Sequence, residues 1–558
     1  MDDKQAAKKP LFERPLFNSR VKSANVKPKE ILFGYFVGPF GALLSSGIFG
    51  AILNKYWTDV LFLGEMTSAA TVFLTLLPLL SVVLVVIGNL LMGQILERTR
   101  TMQGKARPWL LLSAFALSAA SVLMFIVPFP DSVGKMIWLA VSYNLFYAVA
   151  FPIYNTANST MIPVSTRNGK QRGLLASANN IAALAVMGAG AMVFPILASM
   201  LLGSSQALWF AAICAVAVFG FAACLLQYYF TRERVTEETI RPRAQKEKIP
   251  LKKQVKAVAG DKTWWFVVVF WFLFQIGGAF QNVSMPYFSQ WVADAGVFGG
   301  DWGVTMTALG IIGAVPMAAA VVFVWPLSNK FGKKNVAVAG LIIGAAGGVL
   351  AGLFPTNLIF VGVGIALQCL GAAPACYMIL AMLADELDHL EAKNGFRCDG
   401  LTMSVYSLIA AVMTGIAMAA VNGVLGAAGY DARLADVSGA VQSDAVRRAI
   451  TGGYIWARTA AFAIGSVLLL FFTVEKNLKS EQAAIAERQK AAILAQGGEW
   501  VEPEERFRLE REEADRAADE ARIAELKERC KNKGLSFEEE ERKYRARLAE
   551  RQKRNLNR

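Results

Sequence analysis

The stretch Thr231–Lys262, TRERVTEETIRPRAQKEKIPLKKQVKAVAGDK, decides how this chain is organised. It carries ten Lys and Arg residues and is the only long polar break in an otherwise apolar body. On either side of it, apolar runs recur at the length of roughly 20 residues that crosses a hydrocarbon core of about 30 Å. Six such runs precede it, near 31–54, 67–96, 108–128, 134–163, 174–202 and 206–230. Six follow, near 263–292, 303–328, 335–353, 357–384, 399–427 and 452–474. The expected layout is an N-terminal segment (1–30), a first six-helix bundle (31–230), a central loop (231–262), a second bundle (263–474) and a charged helical tail (475–558).

Composition agrees with that layout. Of 558 residues, 55% are hydrophobic and 18% charged, against ~25% charged in an ordinary soluble domain. Residues 475–558 alone hold 41 of the 100 charged side chains, 21 basic and 20 acidic, so the body is still poorer in charge than the average. Such a body is too apolar for a cytosolic enzyme and too structured for a disordered chain. The net charge of +14 resides in loops and not in the balanced tail. It therefore points to Lys and Arg held on the cytoplasmic side of a membrane, not to a nucleic-acid partner. The six cysteines form no CxxC pair, and His389 is the single histidine, so no metal site and no cofactor are expected. Residues 1–30 are polar and basic, unlike a signal peptide.

Alternate connections are basic: Arg98, Arg100, Lys105 and Arg107 in one, Arg167, Lys170 and Arg172 in another, Lys330, Lys333 and Lys334 in a third. The opposite set has few, among them Lys55, Lys135 and Arg433. This places both termini in the cytoplasm of a multi-pass inner-membrane protein. The basic turns GQILERTRTMQGKAR (Gly93–Arg107) and PLSNKFGKK (Pro326–Lys334) occupy the same place in each half. Two parallel six-helix halves suit an alternating-access carrier with its substrate held between them. In the tail, Gly534 ends one helical run and Ser536-Phe-Glu-Glu539 has capping-box spacing for another. Charge alternation there reads as a solvated face or as a surface for a protein partner.

Asp385, Asp388 and Glu391 fall three apart and share a helical face at the cytoplasmic end of span 10. Carboxylates there are placed to pair with Arg100, Arg172 or Arg397 and close the inner mouth. The same charges would also serve loop solubility; the strict spacing favours the gate.

These residues resemble the glycoside–pentoside–hexuronide:cation symporter family over roughly 31–475. The supporting strings are Phe33-Gly34 with Gly38-Pro-Phe-Gly41, Tyr56-Trp-Thr-Asp59, Met92-Gly93 with Gly104-Lys-Ala-Arg-Pro-Trp109, and Met382-Leu-Ala-Asp-Glu-Leu-Asp388 followed by Glu391 and Arg397-Cys-Asp399. The resemblance implies an all-α membrane protein of twelve helices in the major facilitator fold. It implies uptake of a sugar or glycoside, usually driven by Na⁺, Li⁺ or H⁺, and an inner gate at Arg172, Asp385, Asp388 and Arg397. The departures are equally informative. The family's cation-binding acids on span 2 correspond to Val85 and Asn89. Its sugar-binding acids correspond to Leu43 and Asn155, its stacking tryptophan to Ser159, and its basic residues to Asn180 and Ala411.

Within the twelve spans, Arg458 is the one ionisable group away from the ends. A buried carboxylate is costly and is normally kept for coupling, so H⁺ lacks a titratable midplane site and Na⁺ finds only neutral oxygens. Three readings stay open: a facilitator, coupling to an ion elsewhere, or use of the substrate's own charge with Arg458 as counter-ion. The cavity should still be polar. Asn89, Asn155, Ser159, Asn180, Gln275, Asn282, Tyr377 and Tyr406 are the candidate substrate contacts, because amides and hydroxyls both donate and accept and so suit hydroxyl-rich ligands. Asn, Ser and Thr also hydrogen-bond between membrane helices; as a set these residues favour a ligand. A lipid or amphiphile translocator on the same fold and a non-transporting membrane sensor are the alternatives. No nucleophile–base pair, Walker loop or metal cluster points to an enzyme.

Overall fold

The structure is a computed structural model. It describes residues 26–495 apart from 63–67, 100, 102–103, 167–168, 235–249, 294–299, 397 and 438–439, together with scattered positions between 505 and 546. Among the described residues it is helical, apart from an isolated bridge between Thr101 and Gly104. Eleven helices are long and apolar enough to cross a bilayer. They are α1 (Pro28–Leu61), α2 (Ser68–Arg98), α3 (Arg107–Phe125), α4 (Ser132–Ser165), α6 (Gln206–Phe230), α7 (Lys262–Trp291), α8 (Trp302–Phe331), α9 (Lys333–Leu353), α10 (Leu358–Asn394), α11 (Asp399–Ala428) and α12 (Asp444–Leu470). The remaining one, α5, winds through Gly169–Gly188, Ala189–Val193, Phe194–Leu197 and Ala198–Leu202. Its opening GKQRG stretch and its paired asparagines dilute the first half of its apolar run.

Local chemistry sets the helix ends. The side chains of Asp131, Asp261, Asp301 and Asn357 accept the first free N–H groups of α4, α7, α8 and α10, the usual role of Asp and Asn at an N-cap. At 37 residues α10 exceeds the roughly 20 that a bilayer needs. Its last turns, with Asp385, Asp388 and Glu391, therefore project beyond the hydrocarbon. Between the halves, Leu251–Ala259 forms a short amphipathic helix with Val255 and Val258 on one side and lysines on the other, as on a membrane surface.

The packing repeats. In the first half α6 lies against α1 and α3; in the second α12 lies against α7 and α9. Across the halves α2 meets α11, α5 meets α8 and α1 meets α7, which is a twofold arrangement. A second repeat lies at the end of the bundle where α1 begins and α12 ends, here the terminal face. The Glu233 carboxylate, just after α6, accepts from the N–H groups of Lys105, Ala106 and Arg107 at 2.7, 2.8 and 2.9 Å. Glu475, just after α12, accepts from those of Lys333 and Lys334 at 2.8 and 3.2 Å. Each anion sits on the positive end of a helix, and each turn contains a glycine with positive φ, Gly104 at 113° and Gly332 at 87°. The weak sequence echo between the two basic turns thus marks a structural duplication.

Past residue 495, Arg522 grips Glu541 at 2.7 and 2.8 Å and lies 4.1 Å over the Tyr544 ring. The turn at Gly534 (φ 63°) precedes the helix that Ser536 opens, as the capping-box spacing predicts.

Candidate functional site

The halves are joined at the face opposite the termini, here the distal face. Asn54, Lys55, Thr58 and Asp59 fall on adjacent stripes of the last turns of α1. Asn54 Nδ2 donates to the Tyr287 hydroxyl of α7 (3.1 Å) and to Asn422 Oδ1 of α11 (2.8 Å). The Tyr287 and Thr58 hydroxyls are 2.9 Å apart, and Thr58 donates to Asp59 Oδ1 at 2.6 Å. Because Thr58 gives its proton to Asp59, the Tyr287 hydroxyl is the donor in their bond. The relay then runs Asn54, Tyr287, Thr58, Asp59. The Tyr430 hydroxyl donates to the same carboxylate oxygen at 2.9 Å. Lys55 Nζ bonds Asp59 Oδ2 at 2.5 Å and also Gln290 Oε1, and lies 4.9 Å over the Trp302 ring. Lys55 and Asp59 are 5% and 8% exposed, so this is a buried ion pair clasped by both halves. Asn422 Nδ2 reaches the Leu74 carbonyl of α2 (2.9 Å), and Ser199 of α5 bonds Asp301 of α8 (2.7 Å).

Below this lock the contacts between α2 and α11 continue from Thr71 beside Gly426, through Thr75 beside Gly423, to Val82 and Pro78 beside Gly415. At the terminal face several charged side chains of the second half bond one another. Asp385 pairs with Lys333 at 2.6 and 2.8 Å. Asp388 accepts from Gln482 at 2.8 Å, and His389 Nδ1 lies 2.8 Å from Glu481. Lys393 bonds Asp261 at 2.7 Å. Burial alone would raise the Asp261 carboxyl. The hydrogen bonds from Lys393, Thr263 and the Trp264 N–H outweigh it and hold the group at about 2.

Among the described residues Asp385 thus takes Lys333, a partner the sequence did not suggest. Arg172 donates to the Thr166 carbonyl (3.1 Å), and no carboxylate pairs with it among the described residues. Arg100 and Arg397 lie outside the described residues. The tail helix Val474–Ala495 supplies Glu475, Glu481 and Gln482 to this network. Truncation after residue 495 is expected to leave membrane insertion and transport unchanged. Truncation before Glu475 uncaps α9 and is expected to lower the unfolding temperature by several degrees, read by a thermal shift on the purified protein.

The polar residues of the spans divide into two groups. Asn158 bonds Asn179 (2.9 Å) and accepts from Gln227 (2.7 Å), which in turn accepts from Tyr154 (2.9 Å). These tie α4, α5 and α6 together and are packing, not site. One residue away, Asn155 and Ser159 are exposed on the other side of α4, and Asn180 is exposed on α5. Asn155 and Asn180 make no side-chain hydrogen bond among the described residues. Ser159 Oγ turns back to the Thr156 carbonyl (3.1 Å) and Asn89 Nδ2 to that of Val85 (2.8 Å). In the second half Gln275 is half-buried, Asn282 exposed and Tyr377 half-exposed. Tyr406 stacks on Trp271 with centroids 4.7 Å apart. The stack continues through Phe274 (5.8 Å) to Phe462 (5.9 Å), over which Arg458 lies at 5.1 Å.

Arg458 sits near the middle of α12. Its Nη1 donates to Gln281 Oε1; Gln281 donates to Gln368 (3.0 Å), and Gln368 to Thr459 (3.0 Å). Its Nε has no partner. Among the described residues no carboxylate faces this cation.

Sequence reasoning missed Asn54, Lys55, Thr58, Asp59, Tyr287, Asn422 and Tyr430 as a unit. The available signal was the i, i+4 Lys55–Asp59 pair beside the Tyr56-Trp-Thr-Asp59 string.

Residues 34–476 match the family model of MFS/sugar transport proteins. The isoprimeverose transporter of Lactiplantibacillus pentosus is 27% identical over 464 residues, covering 81% of this chain and 90% of that protein. A putative glycoside/cation symporter of Escherichia coli is 25% identical over 396 residues (68% and 79%). A putative 2,3-dihydroxypropane-1-sulfonate exporter of Salmonella typhimurium is 24% identical over 422 residues (74% and 87%). Among solved structures, a bacterial homologue of the human lysosomal transporter Spinster superposes with a TM-score of 0.52 at 13% identity, covering 83% of this chain and 99% of that one. With a fold, a twofold repeat and relatives of this kind, the chain is a secondary transporter of a small solute and not an enzyme, and it belongs to the family of MFS/sugar transport proteins.

Proposed function

We propose that the protein carries a neutral hydroxylated solute, a sugar or glycoside, across the inner membrane by alternating access, with both termini in the cytoplasm. The state described is then closed to the outside by the Lys55–Asp59 lock, with the cytoplasmic gate acids withdrawn into their own half. The observation that carries the reading is the pair of exposed amides on α4 and α5, Asn155 and Asn180, which have no side-chain hydrogen bond among the described residues and each offer a donor and an acceptor to a hydroxyl-rich ligand. Relatives named for isoprimeverose and for glycosides support the class. Val85 and Asn89 on α2 offer no carboxylate for Na⁺ or H⁺, so transport is facilitative.

The test is uptake of a labelled glycoside panel into proteoliposomes, with and without imposed Na⁺ and H⁺ gradients. Equilibration without accumulation is the expected result; accumulation driven by either gradient overturns facilitated transport. Arg458 favours a second reading, a solute bearing its own negative charge. In that case an acidic glycoside outcompetes its neutral counterpart, and Arg458→Gln removes the preference while neutral uptake persists.

A further inference from the structure

Outside the transport path, a membrane-facing groove lies between α8 and α9. The two helices are joined by the tight turn at Gly332, and both pack closely on α10. They diverge from one another around it. The space between them is a groove of about 590 Å³ floored by Leu370 and Pro374 of α10. Its walls are Phe323, Leu327 and Phe331 on one side and Val336, Ala339 and Ile343 on the other. It extends over residues 320–331 of α8, about 16 Å at the rise of a helix. That is the scale of one extended acyl chain in the leaflet at the terminal face.

The groove is not apolar to its end. At the mouth, Lys330 Nζ lies 5.3 Å from the centre of the Phe331 ring, which lines the groove. Asn335 is exposed beside it. The neighbouring lysines are already used: Lys333 pairs with Asp385, and Lys334 donates to the Leu470 carbonyl at 3.2 Å. No carboxylate pairs with Lys330 among the described residues. A dry slot of acyl length that ends at an uncompensated cation on the basic face is complementary to a lipid with a negatively charged headgroup. A basic pocket between helices on this face is where such headgroups bind. The slot alone would not select a lipid, because bulk lipid tails are as apolar as its walls.

We propose that the α8–α9 groove is a binding site for one anionic glycerophospholipid, with an acyl chain between Leu327 and Ala339 and its phosphate on Lys330. The bound lipid braces the turn whose next residue, Lys333, holds the gate carboxylate Asp385. This site is separate from the solute path, and its test does not depend on transport.

The experiment is native mass spectrometry of the full-length protein, released from detergent micelles in an equimolar mixture of phosphatidylglycerol and phosphatidylcholine with identical chains. The wild type is expected to retain phosphatidylglycerol roughly fivefold over phosphatidylcholine, the effect of one basic residue at a membrane surface. Lys330→Gln is expected to bring the two lipids to parity. Ala339→Phe, which fills the groove from an exposed position, is expected to reduce retention of both. Equal retention of the two lipids by the wild type, or a preference that survives both substitutions, overturns the proposal.

Discussion

Asp59→Asn is expected to open the distal face. In the clasped state the Asp59 carboxylate is the acceptor for Lys55, Thr58 and Tyr430 at once, and Lys55 is 5% exposed. Removing one member of a buried ion pair costs about 3–5 kcal/mol, because the other charge is left uncompensated. That cost falls on the clasped state alone. Once α1 and α7 separate, Lys55 is hydrated and no longer needs its partner. The equilibrium should therefore move toward the outward-open state by roughly two to four powers of ten. A cysteine at Thr75, half-buried beneath the lock against Gly423 of α11, reads the change: a membrane-impermeant thiol reagent added from outside should label it quickly in the Asp59→Asn background and slowly otherwise. Uptake should fall at least tenfold, because the closed half of the cycle is scarcely populated. Tyr430→Phe deletes one donor to the Asp59 carboxylate, worth about 1.5–3 kcal/mol, and should shift labelling roughly 10- to 150-fold. Unchanged labelling and full uptake in Asp59→Asn would mean that the pair is not a lock.

How the site was read from the sequence follows from where its residues lie. The twelve helices were legible because the apolar runs have the length the bilayer demands, and even α5, diluted by its GKQRG opening, kept enough of it. The α10 acids were legible as one face by their three-residue spacing. The partner of Asp385 was not, because Lys333 lies 52 residues away and only the packing of α9 on α10 brings the two together. The distal lock was hidden for a different reason. The expected end of the first span, near residue 54, turned Lys55 and Asp59 into loop charges. In the structure α1 continues to Leu61, so the same two residues face α7 from inside a helix. Composition also cannot separate a cavity amide from a packing amide. Asn155 and Asn158 are three residues apart on one helix, yet Asn158 is bonded on both sides while Asn155 is exposed.

Gly303→Ala and Gly88→Ala insert the same methyl group into equally tight crossings and should have opposite signatures. A Cβ at Gly303, in the first turn of α8, would collide with the Pro195 carbonyl and the Ser199 hydroxyl of α5. A Cβ at Gly88 of α2 would collide with the Ala148 carbonyl of α4. Neither backbone oxygen can step aside as a flexible side chain could, and overpacking of this kind costs about 1–3 kcal/mol. What differs is which states bear the cost. Helices α2 and α4 belong to one half and stay together throughout the cycle, so Gly88→Ala strains every state. It should lower the unfolding temperature and leave Thr75→Cys labelling as it was. Helices α5 and α8 belong to different halves and touch at the distal face, so Gly303→Ala strains only the clasped state. It should raise outside labelling of Thr75→Cys roughly 5- to 150-fold, and labelling, not the unfolding temperature, separates the two variants, because a strained clasped ground state also unfolds more easily. The twofold arrangement strengthens the expectation, since the α5–α8 crossing repeats the α2–α11 crossing that the labelling site reports. Should Gly303→Ala instead destabilise the protein with labelling unaltered, the α5–α8 contact would be part of a fixed core, and the distal face would not be the one that opens.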